Sequence, residues 1–184
     1  MLFRCIALVL LTAQCAVAAT ANSSCSAATG WATTPTNVLA DDANSAQTAV
    51  SGQPQLLITS CAMGLPAGST VQGIQVQVKG CGSGTTGQRR VDVNLLGLGT
   101  CTAKLALSQA SCPTMTDQTV GGTADLWSCT SVSDTNVNAT TFGASIQTNT
   151  SNSSNVQAQW LQLIVTYTAP AAGGPRRVFQ FGGS

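Results

Sequence analysis

The chain contains no histidine and no glutamate. Its acids are six aspartates, and charged residues make up only 7 % of it. Each absence excludes chemistry. Without histidine there is no Ser-His-Asp or Cys-His nucleophile arrangement. Without glutamate, a glycosidase pair would have to be assembled from aspartates alone. General acid–base catalysis usually draws on these two residue types. Asp41 and Asp42 are adjacent, so a strand would turn them to opposite faces, and Asp92 and Asp125 are lone acids in or beside strands. The expectation is a protein without catalysis, with no catalytic residues to name.

Basic residues are equally scarce. Seven Lys and Arg against six Asp leave a formal net charge of +1. No cluster of them makes the electrostatic footprint that nucleic acid requires, and an anionic membrane surface is disfavoured for the same reason. Aromatic residues are 4 % of the chain, so a core has to rely on Val, Leu and Ile. The solvated surface must be built from Thr, Ser, Asn and Gln.

The opening MLFRCIALVLLTAQCAVAATANSSC has one early basic residue, Arg4, and an apolar run from Cys5 to Val17. Ala16-Val17-Ala18 fits a small-x-small cleavage rule, so residues 1–18 are read as a secretory signal peptide. Gln14 before Cys15 does not fit a lipoprotein signal. No later run is long and apolar enough for a membrane span. Of eight cysteines, Cys5 and Cys15 would leave with the signal. Cys25, Cys61, Cys81, Cys101, Cys112 and Cys129 remain, an even number suited to disulfides in an exported chain. Zinc fails on spacing, since no CxxC or Cys/His cluster exists. Cys101 and Cys112 flank an expected loop and are expected to pair. The compartment is then extracellular or cell-surface, or the periplasm.

Past the signal, periodicity of two dominates the chain. In LPAGSTVQGIQVQVK (Leu65–Lys79) a turn leads into a strand with Ile74, Val76 and Val78 on one face and Gln75, Gln77 and Lys79 on the other. QLLITS (Gln55–Ser60), Arg89–Leu95, Cys101–Leu107, ADLWS (Ala124–Ser128), Thr141–Gln147 and Val156–Thr168 are further strand candidates. In Cys101–Leu107, Cys101, Ala103, Leu105 and Leu107 are expected inward, and Thr102 and Lys104 outward. Gly80–Gln88, Ser108–Gln118 and Thr148–Asn155 read as loops. In the last strand the apolar residues change parity, from Val156, Ala158 and Trp160 to Leu161, Leu163, Val165 and Tyr167. A bulge near Trp160–Leu161, or a strand passing between two layers, accounts for that. Many short strands with Gly- and Asn-rich turns predict an all-β fold: an antiparallel two-sheet β-sandwich, jelly-roll-like and disulfide-stapled. The expected layout is a lead-in over 19–30, the sandwich over 31–168, and a Gly/Pro linker with a basic-aromatic tail over 169–184.

The order of several segments also carries a likeness. WATTPTNVLADDANSAQTAV (Trp31–Val50), LPAGSTVQGIQVQV (Leu65–Val78), ADLWS, TFGASIQ (Thr141–Gln147) and WLQLIVTYT (Trp160–Thr168) together resemble a β-sandwich domain of phage virion tail or decoration proteins and of some exported bacterial proteins. The resemblance spans roughly residues 31–168. It implies a scaffold or surface role and brings no catalytic residues. The six cysteines and the signal peptide depart from the phage versions, which favours an exported cellular protein and keeps a virion decoration or fibre role as the alternative.

Four candidate sites emerge. Asp41, Asp42 and Asn44 in LADDANS offer hard oxygens that would take calcium; the competing reading is an Asx turn. Trp31, Trp127 and Trp160 are either sugar-stacking platforms or core anchors. Trp160 is expected in the core, and Trp127, in a short segment next to Cys129, is the best candidate of the three for exposure and so the candidate of a carbohydrate-binding module. The tail residues Arg176, Arg177, Phe179 and Phe181 either add to a neighbouring sheet edge, giving self-association, or fray. Asn22, Asn138, Asn149 and Asn152 lie in N-x-S/T sequons.

Overall fold

The computed structural model describes residues 18–31, 33–48, 55–82, 91–106, 110–148 and 155–171. Eleven strands form two sheets among them. In the first, β11 (Val156–Thr168) lies between β5 (Thr70–Gly82) and a flank shared by β1 (Ala18–Ser23) and β3 (Ala46–Thr48). β9 (Thr116–Gly121) pairs with the far side of β5, and β8 (Ala110–Ser111) makes a short parallel contact at its end. In the second, the order is β2 (Ala27–Thr29), β4 (Leu56–Thr59), β10 (Gly143–Thr148), β6 (Val91–Leu96), β7 (Lys104–Ala106). Setting aside β1, β2 and β8, the sheets read β3-β11-β5-β9 and β4-β10-β6-β7. Except for the β6–β7 hairpin, successive strands change sheets, the pattern of an eight-stranded double Greek key, a jelly roll.

The alternating sequence explains the core. Ile74, Val76 and Val78 of β5 face Val91, Val93 and Leu95 of β6 and Ala144 and Ile146 of β10, all at most 2 % exposed. Leu161, Leu163 and Val165 join them from β11. The parity change resolves as a bulge. Ala158 pairs with Gly80 and Trp160 with Lys79, so Gln159 is the extra residue. Val156 and Ala158 therefore point inward before it, Leu161 and Leu163 after it, and Trp160 is turned outward.

Several expectations need correction. The lead-in over 19–30 is part of the sandwich, since β1 extends β11 and β2 extends β4. The loop expected over Ser108–Gln118 contains β8 and the start of β9. Its polar sequence hides a strand because only one face of this edge is buried, chiefly through Val120. ADLWS is a turn and not a strand: Trp127 and Ser128 both adopt positive φ, 57° and 51°. The strand expected over Cys101–Leu107 is described only from Lys104 to Ala106. Ala103 is exposed, and Lys104 pairs with the buried Val93 and so lies on the inner side of its sheet. An inward-turned charge on an edge strand discourages pairing with another chain.

Three disulfides staple the fold: Cys25–Cys61, Cys81–Cys112 and Cys101–Cys129. The expected Cys101–Cys112 pair is replaced. Thr102 N donates to Trp127 O and Thr130 N to Thr100 O, which zips the chain around Cys101 onto Cys129. β8 carries Cys112 beside Cys81 instead, where Cys112 N donates to Gly82 O at 3.3 Å. The register pairing Ala27 with Thr59, continued two residues further, sets Cys25 opposite Cys61. The bridges link residues 36, 31 and 28 apart. In the chain-entropy account a loop of that length is worth about 3.5 kcal/mol. Such bridges persist in an oxidising, extracellular-type compartment. No helix among the described residues is long and apolar enough to cross a membrane.

Candidate binding face

Trp127 is a core anchor, which sets aside its candidacy as an exposed sugar platform. It is 1 % exposed, and its indole N–H donates to Ile74 O at 2.8 Å. The left-handed turn drives it into the edge of the sandwich between β7 and β9. Its backbone N–H donates to Asp125 Oδ1 at 2.8 Å. Lys104 closes the arrangement, with Nζ 5.3 Å from the ring centroid and 2.8 Å from Asp125 Oδ2. The hydrogen bond from Lys104, and then that from the Trp127 backbone, hold the Asp125 carboxyl below its ordinary range. Trp31 is buried as well, at 4 %. Trp160, expected inside, is half-buried on the outside of β11, because the Gln159 bulge reverses its direction.

The Asp41–Asn44 segment forms an Asx turn. Asp42 Oδ1 accepts from Asn44 N at 2.7 Å and Asp42 Oδ2 from Asn44 Nδ2 at 3.1 Å. Asp41 turns away to Lys79, with Oδ1 2.9 Å from Nζ. Among the described residues no three Cys or Asp side chains gather as a metal-holding group. Arg176, Arg177, Phe179 and Phe181 lie outside the described residues, as do sequons Asn149 and Asn152. Asn138 is committed to structure: its Oδ1 accepts from Leu65 N at 2.8 Å and its Nδ2 donates to Leu65 O at 2.9 Å. Asn22 is exposed on β1.

The bulge, the register and the Asp41 contact together extend the polar face expected from Gln75, Gln77 and Lys79 into a larger surface, the outer face of the first sheet. Side chains directly paired across strands share a face. One row is Asn22, Ile164 and Gln75. The next is Gln162, Gln77 and Thr119, and the third is Trp160, Lys79 and Asp117. With strands about 4.8 Å apart and alternate residues about 6.8 Å apart, the three rows span about 14 Å along the strands and about 10 Å across. Two loops bound the area. At the Trp160 end stands the Asp41–Asn44 turn, fixed by its contact with Lys79. Beyond Gln75, Gly122 and Thr123 pack so close over Gly73 that a Cβ there would collide with their backbone.

Among the described residues the face carries one cation against two carboxylates. Lys79, that cation, lies between Asp41 and the cross-strand Asp117. The hydrogen bond from Lys79 to Asp41 raises the ammonium pKa; desolvation opposes it, and the negative charges of Asp41 and Asp117 add lesser upward effects. The ion pair is half exposed, so it adds little stability, but it leaves no free positive charge. What remains is neutral: amides, a hydroxyl, a half-buried indole and the flank of Ile164. The sequence signalled the face in the alternation of Gln75, Gln77 and Lys79, and its part on β11 only through the parity change in Val156–Thr168, which speaks indirectly of the residue it turns outward.

The fold and this face define a class: a disulfide-stapled jelly roll whose first sheet turns a sparsely charged, largely amide- and hydroxyl-bearing face outward. Comparison with protein-family models, with curated proteins and with solved structures gives no match.

Proposed function

We propose that the protein is an exported, non-catalytic structural or adhesive β-sandwich, assembling through its C-terminal tail. The observation that supports it best is the outer face of the first sheet, where the one cation, Lys79, is held by Asp41 beside Asp117 and the other side chains of the three rows are uncharged. Such a face suits recognition or packing, since it offers neither a nucleophile nor an acid–base pair. The three disulfides suit a protein that works outside the cell. The end of β11 supports a role for the tail. β11 ends at Thr168 beside the start of β1, where Tyr167 pairs with Ala19. Among the described residues β1 pairs only with β11, which leaves its other edge open to an added strand. The tail holds two arginines, and residues 19–171 carry four basic against six acidic side chains, so tail and domain are complementary in charge.

Light scattering on the oxidised protein tests this. The full chain beginning at Ala19 is expected as a defined oligomer. Removal of residues 170–184 is expected to leave a folded monomer. An unchanged mass on truncation overturns assembly through the tail. The resemblance to phage virion domains supports a second reading, a decoration or fibre protein. That reading requires residues 1–18 to be present in purified particles, which peptide mapping decides.

A further inference from the structure

We propose that the outer face of the first sheet is a binding platform for an uncharged polysaccharide, centred on Trp160. The proposal rests on the adhesive reading above and names its partner.

Trp160 faces outward only because Gln159 is bulged. A regular strand would place it on the same side as Val156 and Ala158, which are at most 1 % exposed. Bulges occur where a strand re-aims a side chain, and this one moves a large aromatic residue from the core side to the solvent side. Of the three tryptophans, Trp31 and Trp127 are buried and only Trp160 retains a surface. Its cross-strand neighbour Lys79 is tied to Asp41, and the groups in the adjoining row are uncharged. Gln162 lies two residues along β11, and Gln77 pairs with Gln162 across the sheet. Each primary amide carries two donors and an acceptor of two lone pairs.

The chemistry that complements this set is a pyranose. Its C–H face stacks on an indole, and its rim of hydroxyls, each donor and acceptor, meets amides and threonine hydroxyls. Charge decides against the alternatives. Lys79 is held by Asp41 at 2.9 Å with Asp117 in the next strand, so neither a polyanion nor a nucleic acid finds a free cation here. A second sheet packing face to face needs a continuous apolar layer. Trp160 and Ile164 are separated on the strand by Gln162, so such packing would strand the amides. The flat area, about 14 Å long, suits an extended chain of sugars rather than the enclosure of a single one.

The test uses the mature, oxidised protein in affinity electrophoresis against soluble dextran, mannan, xyloglucan and laminarin. At least one is expected to retard the protein, equally at low and high salt, because no charge pairing is involved. Trp160→Ala is expected to weaken that retardation by about thirtyfold or more, as for a central aromatic contact. The double substitution Gln77→Ala/Gln162→Ala, at half-buried surface positions that carry no core packing, is expected to weaken it severalfold. Trp127→Phe, away from the platform, should leave it unchanged. Failure of all four polysaccharides to retard the wild-type chain overturns the proposal, and so does retardation unaffected by both the Trp160 and the Gln77/Gln162 substitutions. Retardation that disappears at high salt overturns it too. Light scattering separates this from the broader reading. A tail-dependent oligomer that ignores every polysaccharide removes the platform and leaves the structural role. A monomer that binds through Trp160 removes tail assembly and leaves the platform.

Discussion

Trp127→Ala should be among the most damaging single substitutions in this protein. The side chain is 1 % exposed and meets the sandwich edge through three kinds of contact: packing, the indole hydrogen bond to Ile74 O, and the Lys104 ammonium over the ring. Truncating a buried tryptophan to alanine costs about 3–5 kcal/mol. Within that, the hydrogen bond contributes about 1 kcal/mol, at the low end because Ile74 O also accepts from Gly122 N at 3.3 Å. The cation–π contact adds roughly 0.5–1 kcal/mol, since Lys104 is partly solvated. Against a typical total of about 5–15 kcal/mol, the loss is large but survivable in a chain held by three disulfides. Urea unfolding of the oxidised protein, followed by circular dichroism, measures it. With a slope of about 2 kcal/mol per molar, a loss of 4 kcal/mol lowers the midpoint by about 2 M. Trp127→Phe should lower it by only about 0.5–1 M. The half-buried Trp160→Ala should cost under about 1.5 kcal/mol. If Trp127→Ala moves the midpoint by less than about 0.5 M, or by less than Trp160→Ala does, the assignment of Trp127 to the core and Trp160 to the surface is wrong.

Three further outcomes are expected. Gly121→Ala should destabilise by about 2–4 kcal/mol, because Gly121 has φ +83° and an added Cβ would lie 2.6 Å from Trp127 Nε1; a change below about 0.5 kcal/mol in the same unfolding assay refutes it. Asn138→Ala should cost about 2 kcal/mol through the two lost hydrogen bonds to Leu65. In a glycosylating host Asn138 should stay unmodified in the folded protein, whereas Asn22 is accessible; glycopeptide mapping that finds a glycan on Asn138 of native protein contradicts the assigned contacts. Asp125 and Asp134 both have carboxyl pKa values lowered in the fold, Asp125 chiefly by Lys104 and Asp134 by the backbone N–H groups of Gly68 and Thr135. Their contribution is therefore present above the unfolded value of about 3.9 and is lost as pH falls through the folded values. With no histidine to titrate, stability should be level between about pH 5 and pH 8 and decline below about pH 4. Asp125→Asn should flatten part of that decline, and equal stability at pH 3 and pH 6 would refute the linkage.

Much of the scaffold was legible because the period of a strand is written in the residues. Ile74-Gln75-Val76-Gln77-Val78 can bury only one face, and the chain does bury that face. The parity change between Ala158 and Leu161 required an irregularity, and Gln159 supplies it. Phe142, Ala144 and Ile146 alternate within Thr141–Gln147 and are all buried for the same local reason. Thr116–Gly121 was missed because an edge strand with one buried valine has almost no apolar alternation to read.

The candidate site was legible only in part, since exposure is a property of neighbours. Trp127 and Trp160 stand in equally ambiguous local sequence. A left-handed turn beside a disulfide sends the first inward, and one extra residue sends the second outward. The cysteine pairing depends on which strands become adjacent, and no spacing within the chain encodes that β8 lies along β5. Lys104 reads as a solvent residue until β7 is paired with β6 and its side chain is found over Trp127. By itself, then, the sequence determined the all-β class, the cross-linking and the poverty of catalytic groups, because these come from periodicity and composition. Only the tertiary structure decided the disulfide partners and the tryptophan that meets solvent. It alone could bring Gln77, Lys79 and Trp160 onto one face, because contacts between distant strands are set by register and packing and not by any local run of residues.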